Sequence, residues 1–129
     1  MSLFDSDLTE VLLSMANQRL TKNNIKLANK SSMVIYLVAP EYAYGKSVEP
    51  KEFTIDIDAA LEMQVDVFFS AAERVSKNSY KTVGNSRAVS FAAVGDELES
   101  AKSRVEKAIS SAFSGPLEWR KDIGVFPNR

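Results

Sequence analysis

Residues 87–113 read RAVSFAAVGDELESAKSRVEKAISSAF, and this stretch decides the fold class. Its first part, 87–94, is a short apolar run that predicts a strand, and its second part repeats apolar residues at helical spacing. We predict a helix over 97–113 that is capped by Asp96, with Glu99 completing a capping box. Six side chains form its apolar face: Leu98, Ala101, Val105, Ala108, Ile109 and Ala112. Four charged residues fall largely off this stripe and are predicted to be solvated: Lys102, Arg104, Glu106 and Lys107.

The remaining elements are predicted by working outward from this strand and helix. A second helix begins at Asp7 and ends near Leu20, with Leu8, Val11, Leu12, Met15 and Ala16 on one face. The unbroken apolar run 33–39 predicts a strand buried on both faces, which Pro40 stops. An alternating strand over 53–58, a helical turn over 59–63 and a strand over 65–69 follow, and 76–86 is polar and rich in turn residues. The order predicts an α+β fold in which a mainly antiparallel sheet is covered by two principal helices.

Composition limits the functions that the chain can have. The 129 residues are 45% hydrophobic and 26% charged, the balance of one globular domain over 1–129. The net charge of -1 makes nucleic acid an unlikely partner, and the absence of Cys and His removes thiolate and imidazole chemistry and the usual zinc shells. The longest apolar run, 33–40, is far shorter than the roughly 20 residues that cross a bilayer. We therefore expect a cytoplasmic protein with no membrane partner and no complete catalytic site of its own.

Three groups of polar residues are candidates for a site, and each has a structural alternative. Tyr42, Tyr44 and Lys46 lie in a loop that could meet a ligand, although a surface loop without a ligand is the simpler reading. Arg120 could clamp an anion, but an ion pair with Asp122 that pins the tail is favoured. Asp56 and Asp58 could hold a hard cation if both lie on a strand, but the solvent side of that strand explains them better.

Four motifs, in order along the chain, carry a resemblance to a known family: residues 87–89, 93–96, 98–101 and 119–124, the last reading WRKDIG. Together they are similar to the C-terminal domain of phosphoribosylamine–glycine ligase, also called glycinamide ribonucleotide synthetase. Residues 6–8 and 34–39 match more loosely, so the resemblance covers nearly the whole chain. In the family a glycine-rich loop follows the strand that corresponds to 34–39, and here residues 40–46, which read PEYAYGK, replace it.

The resemblance implies a function that this chain does not complete alone. Members of the family use ATP and Mg²⁺, bound by other domains, to join 5-phosphoribosylamine to glycine in purine synthesis, so no cofactor is expected in this chain. The expected partners are the remaining domains of the ligase, and an excised domain should expose an apolar patch where they dock. Arg120 and Asp122 would be cleft or domain-interface residues, with the loop of Tyr42, Tyr44 and Lys46 as second choice. The alternative is a free-standing binding or regulatory module that kept the fold and lost the reaction.

Overall fold

The protein folds into two antiparallel sheets and three α-helices in a computed structural model that describes residues 3–44 and 49–125. The helices are α1 (Leu8–Ala16), α2 (Ile57–Glu62) and α3 (Leu98–Ala112). The strands are β1 (Ser31–Leu37), β2 (Glu52–Ile55), β3 (Asp66–Phe69), β4 (Ala72–Arg74), β5 (Ser79–Thr82), β6 (Val89–Gly95) and β7 (Phe113–Ser114). Two short 3₁₀ helices cover Lys22–Asn24 and Pro40–Tyr44. The predicted α+β class with antiparallel strands is confirmed.

The first sheet has the order β1-β6-β3 and the second has the order β4-β5-β2-β7. Helix α3 packs on β1 and β6, and the core cluster extends from this layer to α2 and the second sheet. The largest fully buried side chains come from these elements and their neighbours: Phe91, Ile35, Leu37, Ile55, Ile109, Val65, Val89 and Val105. None of the helices in the described ranges is long and apolar enough to span a bilayer.

Strand β1 is buried on one face only, and the prediction of burial on both faces was wrong. Met33, Ile35 and Leu37 point into the core, whereas Val34 and Tyr36 are 39% and 40% exposed. The reason is that β1 lies at the edge of its sheet and α3 covers only one side of it. Two apolar side chains of this run therefore lie on the outer face of the sheet.

The segment around Asp56 is a strand end followed by a helix. Strand β2 ends at Ile55, and α2 begins at Ile57 with Asp56 as its N-cap, where the carboxylate accepts a hydrogen bond from the Ala59 N–H at 3.1 Å. The extended strand that was predicted through Asp58 is therefore wrong, because capping a helix satisfies backbone N–H groups that a strand end would leave to water. In the described ranges, no group of three or more His, Cys, Asp or Glu side chains could hold a metal ion.

The bounds and apolar face of α3 agree closely with the prediction, but its cap does not. Asp96 binds the Nζ of Lys30 at 2.8 Å, and Glu97 occupies the N-cap position without a side-chain cap bond. Lys102 was predicted to be solvated, yet it is only 8% exposed. The turn at Gly124 covers its aliphatic stem, since a Cβ placed on Gly124 would lie 3.6 Å from Cδ of Lys102.

Two other segments differ from their predictions. Helix α1 is capped by Asp7, which accepts hydrogen bonds from Thr9 and Glu10, but it ends at Ala16 and Gln18 follows with a φ of 57°. Val11 is its one buried residue. The polar segment 76–86 contributes β5, which pairs with β2 and β4, so it is part of the second sheet as well as a turn.

Candidate functional site

A groove of about 500 Å³ lies where β1 ends, between the Pro40–Tyr44 helix and the C-terminal tail. Its lining consists of Tyr36, Val38, Ala39, Pro40, Tyr42, Arg87, Glu118, Trp119, Arg120 and Ile123. The tail is held against the end of β1 by two backbone hydrogen bonds between Val38 and Glu118, of 2.9 and 2.8 Å. Leu117 is buried in the core and Ile123 packs against it, so the tail forms a fixed wall of the groove.

The groove brings together two of the five predicted site residues. Tyr42 and Arg120 both line it, although 78 positions of sequence separate them. Asp122 lies beside Arg120 and outside the lining. Tyr44 ends the 3₁₀ helix that forms one wall, and Lys46 lies outside the described residues.

Arg120 and Asp122 form a two-bond ion pair. Nε of Arg120 donates to Oδ1 of Asp122 at 3.0 Å, and Nη2 donates to Oδ2 at 2.5 Å. These hydrogen bonds lower the pKa of Asp122 and raise the pKa of Arg120. Because the residues are two positions apart, the pair fixes a turn of the tail and does not tie the tail to the sheet. Nη1 of Arg120 takes no part in this pair.

Sequence reasoning missed Arg87, the second guanidinium of the groove. Its Cζ lies 5.1 Å from the centre of the Tyr36 ring, a cation–π contact on the outer face of the first sheet. The contact depends on two features of the folded sheet. Alternation along β1 turns Tyr36 outward, and pairing Leu37 with Val89 brings the residue two positions before Val89 to the same end. Because β1 was predicted to be buried on both faces, Tyr36 was not expected on an outer face that Arg87 could contact.

Trp119 and Glu41 complete the surroundings of the groove. Trp119 meets Phe113 edge-on at 6.5 Å, and Nζ of Lys121 lies 5.9 Å from its ring centre. The Glu41 carboxylate binds Nζ of Lys51 at 3.2 Å, while its Oε2 is buried without a hydrogen-bond partner in the described part of the chain. A backbone hydrogen bond, and then Lys51, lower the pKa of Glu41.

The groove has the side chains needed to recognise a ligand. Aromatic rings and two guanidinium groups line the groove, and guanidinium groups bind anions through planar donors. Glu41 and Asp122 lie beside the groove, and the pKa of each carboxyl group is lowered, which favours the ionised form. A general acid near neutral pH needs the opposite shift. The groove is therefore suited to holding a ligand or a neighbouring domain.

Comparison with known proteins shows that the chain is similar to part of a ligase. The relatives are phosphoribosylamine–glycine ligases of Methanococcus maripaludis: that of strain S2 is 27% identical over 122 residues, and those of strains C5 and C7 are each 26% identical over the same length. Each match covers 95% of this chain and 27% of the relative, so the chain spans about a quarter of the length of these ligases. No family model matches the chain. The resemblance inferred from the motifs is confirmed.

Proposed function

We propose that the chain is the C-terminal domain of an ATP-dependent ligase that joins 5-phosphoribosylamine to glycine in de novo purine biosynthesis. One observation carries the proposal: the similarity uses 95% of this chain but only 27% of each relative. A domain of the ligase would give such a match, whereas a whole enzyme would cover its relatives in full. The partners are then the remaining domains, which bind ATP and Mg²⁺ in the complete enzyme.

Within the ligase, the domain helps to close the substrate cleft, and the groove is its cleft-facing surface. Tyr42 and Arg120 support this role because both line the groove, and they are two of the five residues that the resemblance and the loop pattern indicated. The ion pair with Asp122 fixes the plane of the Arg120 guanidinium, so Nη1 would meet a substrate in one orientation. Such positioning lowers the barrier of a two-substrate reaction without any proton transfer by this domain.

The test is a chimeric ligase in which this chain replaces the matching quarter of the M. maripaludis S2 enzyme. We expect Arg120→Ala to lower kcat/KM by about 10-fold or more, since misplacing a reacting group by 1 Å can cost about 100-fold. Arg104→Ala is the matched control, because Arg104 lies on α3, binds Gln64 at 3.2 Å and is absent from the groove lining. Unchanged turnover and unchanged stability of Arg120→Ala would exclude Arg120 from both the cleft and the interface.

A free-standing binding or regulatory module is the second candidate. It is favoured by the replacement of the family's glycine-rich loop with residues 40–46, while the groove beside that loop persists. Isothermal titration separates the candidates from an independent ATP-binding enzyme, because neither predicts heat when ATP and Mg²⁺ are added to the isolated chain. An inactive chimera whose isolated domain is folded would favour the module.

A further inference from the structure

The first part of the chain forms an ordered unit that we call the N-terminal arm, residues 3–28. Backbone hydrogen bonds join its two ends to each other: the Asp5 N–H donates to the Lys26 carbonyl at 2.9 Å, and the Ala28 N–H donates to the Leu3 carbonyl at 2.8 Å. The hydroxyl of Ser6 also accepts from the Lys26 N–H at 2.6 Å. The arm therefore has a defined structure that carries α1 between its two ends.

The arm exposes most of its large apolar side chains. Seven of them are between 41% and 67% exposed: Leu8, Leu12, Leu13, Met15, Leu20, Ile25 and Leu27. The buried residues of the main core cluster begin at Met33, so no residue of the arm belongs to that cluster. Exposed apolar groups concentrated in one segment mark an interaction surface, whereas single exposed groups are normal.

Helix α1 is apolar on more than one side. Leu8, Leu12 and Met15 follow helical spacing along one stripe, while Leu13 lies a further 100° or so around the axis from Leu12. The apolar stripe of a surface helix normally faces the core of its protein. This one has only Val11 buried within the chain, so the structure leaves most of its apolar surface to be covered by something else.

The matched relatives indicate what covers it. The match includes 122 of the 129 residues, so it contains essentially all of α1, and the relatives have nearly three quarters of their polypeptide outside the matched part. We propose that α1 and the adjoining part of the N-terminal arm are the surface on which the remaining ligase polypeptide docks. This inference rests on the proposed function, and it adds the location of the interface, at a distance along the chain from the groove residues.

The charges at the rim define the chemistry of the partner surface. Asp7 and Glu10 lie at the first turn of α1, and Arg19 follows its last turn, where the Arg19 N–H donates to the Ser14 carbonyl at 2.8 Å. The matching surface is then an apolar groove with basic groups facing the start of α1 and acidic groups facing its end. Rim charges of this kind fix the orientation of docking.

The test measures hydrogen–deuterium exchange of the α1 amides in the free chain and in the chimeric ligase described above. We expect these amides to exchange at least tenfold more slowly in the chimera. Leu12→Glu and Met15→Glu should remove this protection without unfolding the free chain, because both side chains are already more than half exposed. Phe68→Glu is the control, since Phe68 is 57% exposed on β3 and lies outside the arm.

Each outcome separates this inference from the proposed function. Turnover of the chimera with unprotected α1 amides would overturn the docking surface and retain the ligase assignment. Protected α1 amides without turnover would retain the surface and count against the ligase assignment. If protection instead appears in the free chain and increases with its concentration, the surface belongs to a second copy of the chain and the proposal is wrong.

Discussion

At the scale of single residues, the best-defined feature of the groove is the pair formed by Arg120 and Asp122. Both side chains are largely exposed, and two hydrogen bonds join them within one turn of the tail. An exposed ion pair contributes little to global stability. Its effect is local, because it selects one orientation of a guanidinium that borders the groove.

Removing Arg120 should raise the pKa of Asp122 toward its ordinary value, because the hydrogen bond from Arg120 is the largest cause of the lowering. The sign follows from linkage: a lowered carboxyl pKa stabilises the fold above the ordinary Asp range, and this contribution is lost as the pH falls through the pKa of the folded state. An NMR titration of the Asp122 carboxyl carbon measures the shift. Lys121→Ala is the control with the same change of charge, and an equal shift in both variants would contradict the pair.

How far the site could be predicted also depends on individual residues. Arg120 and Tyr42 could be found, because the tail motif and the tyrosine-rich loop are visible as local sequence. Arg87 could not, since its contact with Tyr36 arises only when β1 and β6 pair. The burial of Lys102 was equally hidden, because the turn at Gly124 that covers its stem lies 22 positions away.

At the scale of elements, the start of a helix depends on which carboxylate accepts hydrogen bonds from the first backbone N–H groups. Asp56 caps α2, and its neighbour Asp58 lies in the first turn without a cap bond. We expect Asp56→Ala to lower the free energy of unfolding by about 1 kcal/mol, the usual cost of losing an N-cap. Urea unfolding should show a smaller loss for Asp58→Ala, which removes only a favourable interaction with the helix dipole. Equal losses would mean that Asp56 does not act as a cap.

Elements defined by their local sequence were predicted well, and features that depend on contacts between distant residues were not. The apolar stripe of α3 is long and regular, so its bounds were found within a residue or two. Its predicted cap failed because Asp96 is engaged by Lys30, 66 positions earlier in the chain. Strand β5 was missed because its residues are polar, and only pairing with β2 and β4 makes Ser79–Thr82 a strand.

At the scale of the whole molecule, the chain has one core and an appendage. The core cluster joins both sheets, α2 and α3, and it includes Leu117 from the tail, which explains how the wall of the groove is anchored. The N-terminal arm contributes nothing to that cluster. The predicted pattern placed α1 over the sheet together with α3, whereas most of the apolar side chains of α1 point to solvent.

This division predicts that the chain folds without its arm. A variant lacking residues 1–28 should keep a cooperative unfolding transition, because every buried residue of the core cluster, from Met33 to Leu117, remains. It should also bind less of a dye that reports exposed apolar surface, since the seven exposed apolar side chains of the arm are gone. Point substitutions test the same division. Leu12→Ala should lower the free energy of unfolding by less than about 0.5 kcal/mol because Leu12 is exposed, whereas Ile109→Ala in the core should lower it by about 2–5 kcal/mol. Loss of cooperative unfolding in the truncated chain would mean that Val11, the buried residue of α1, joins the arm to the core.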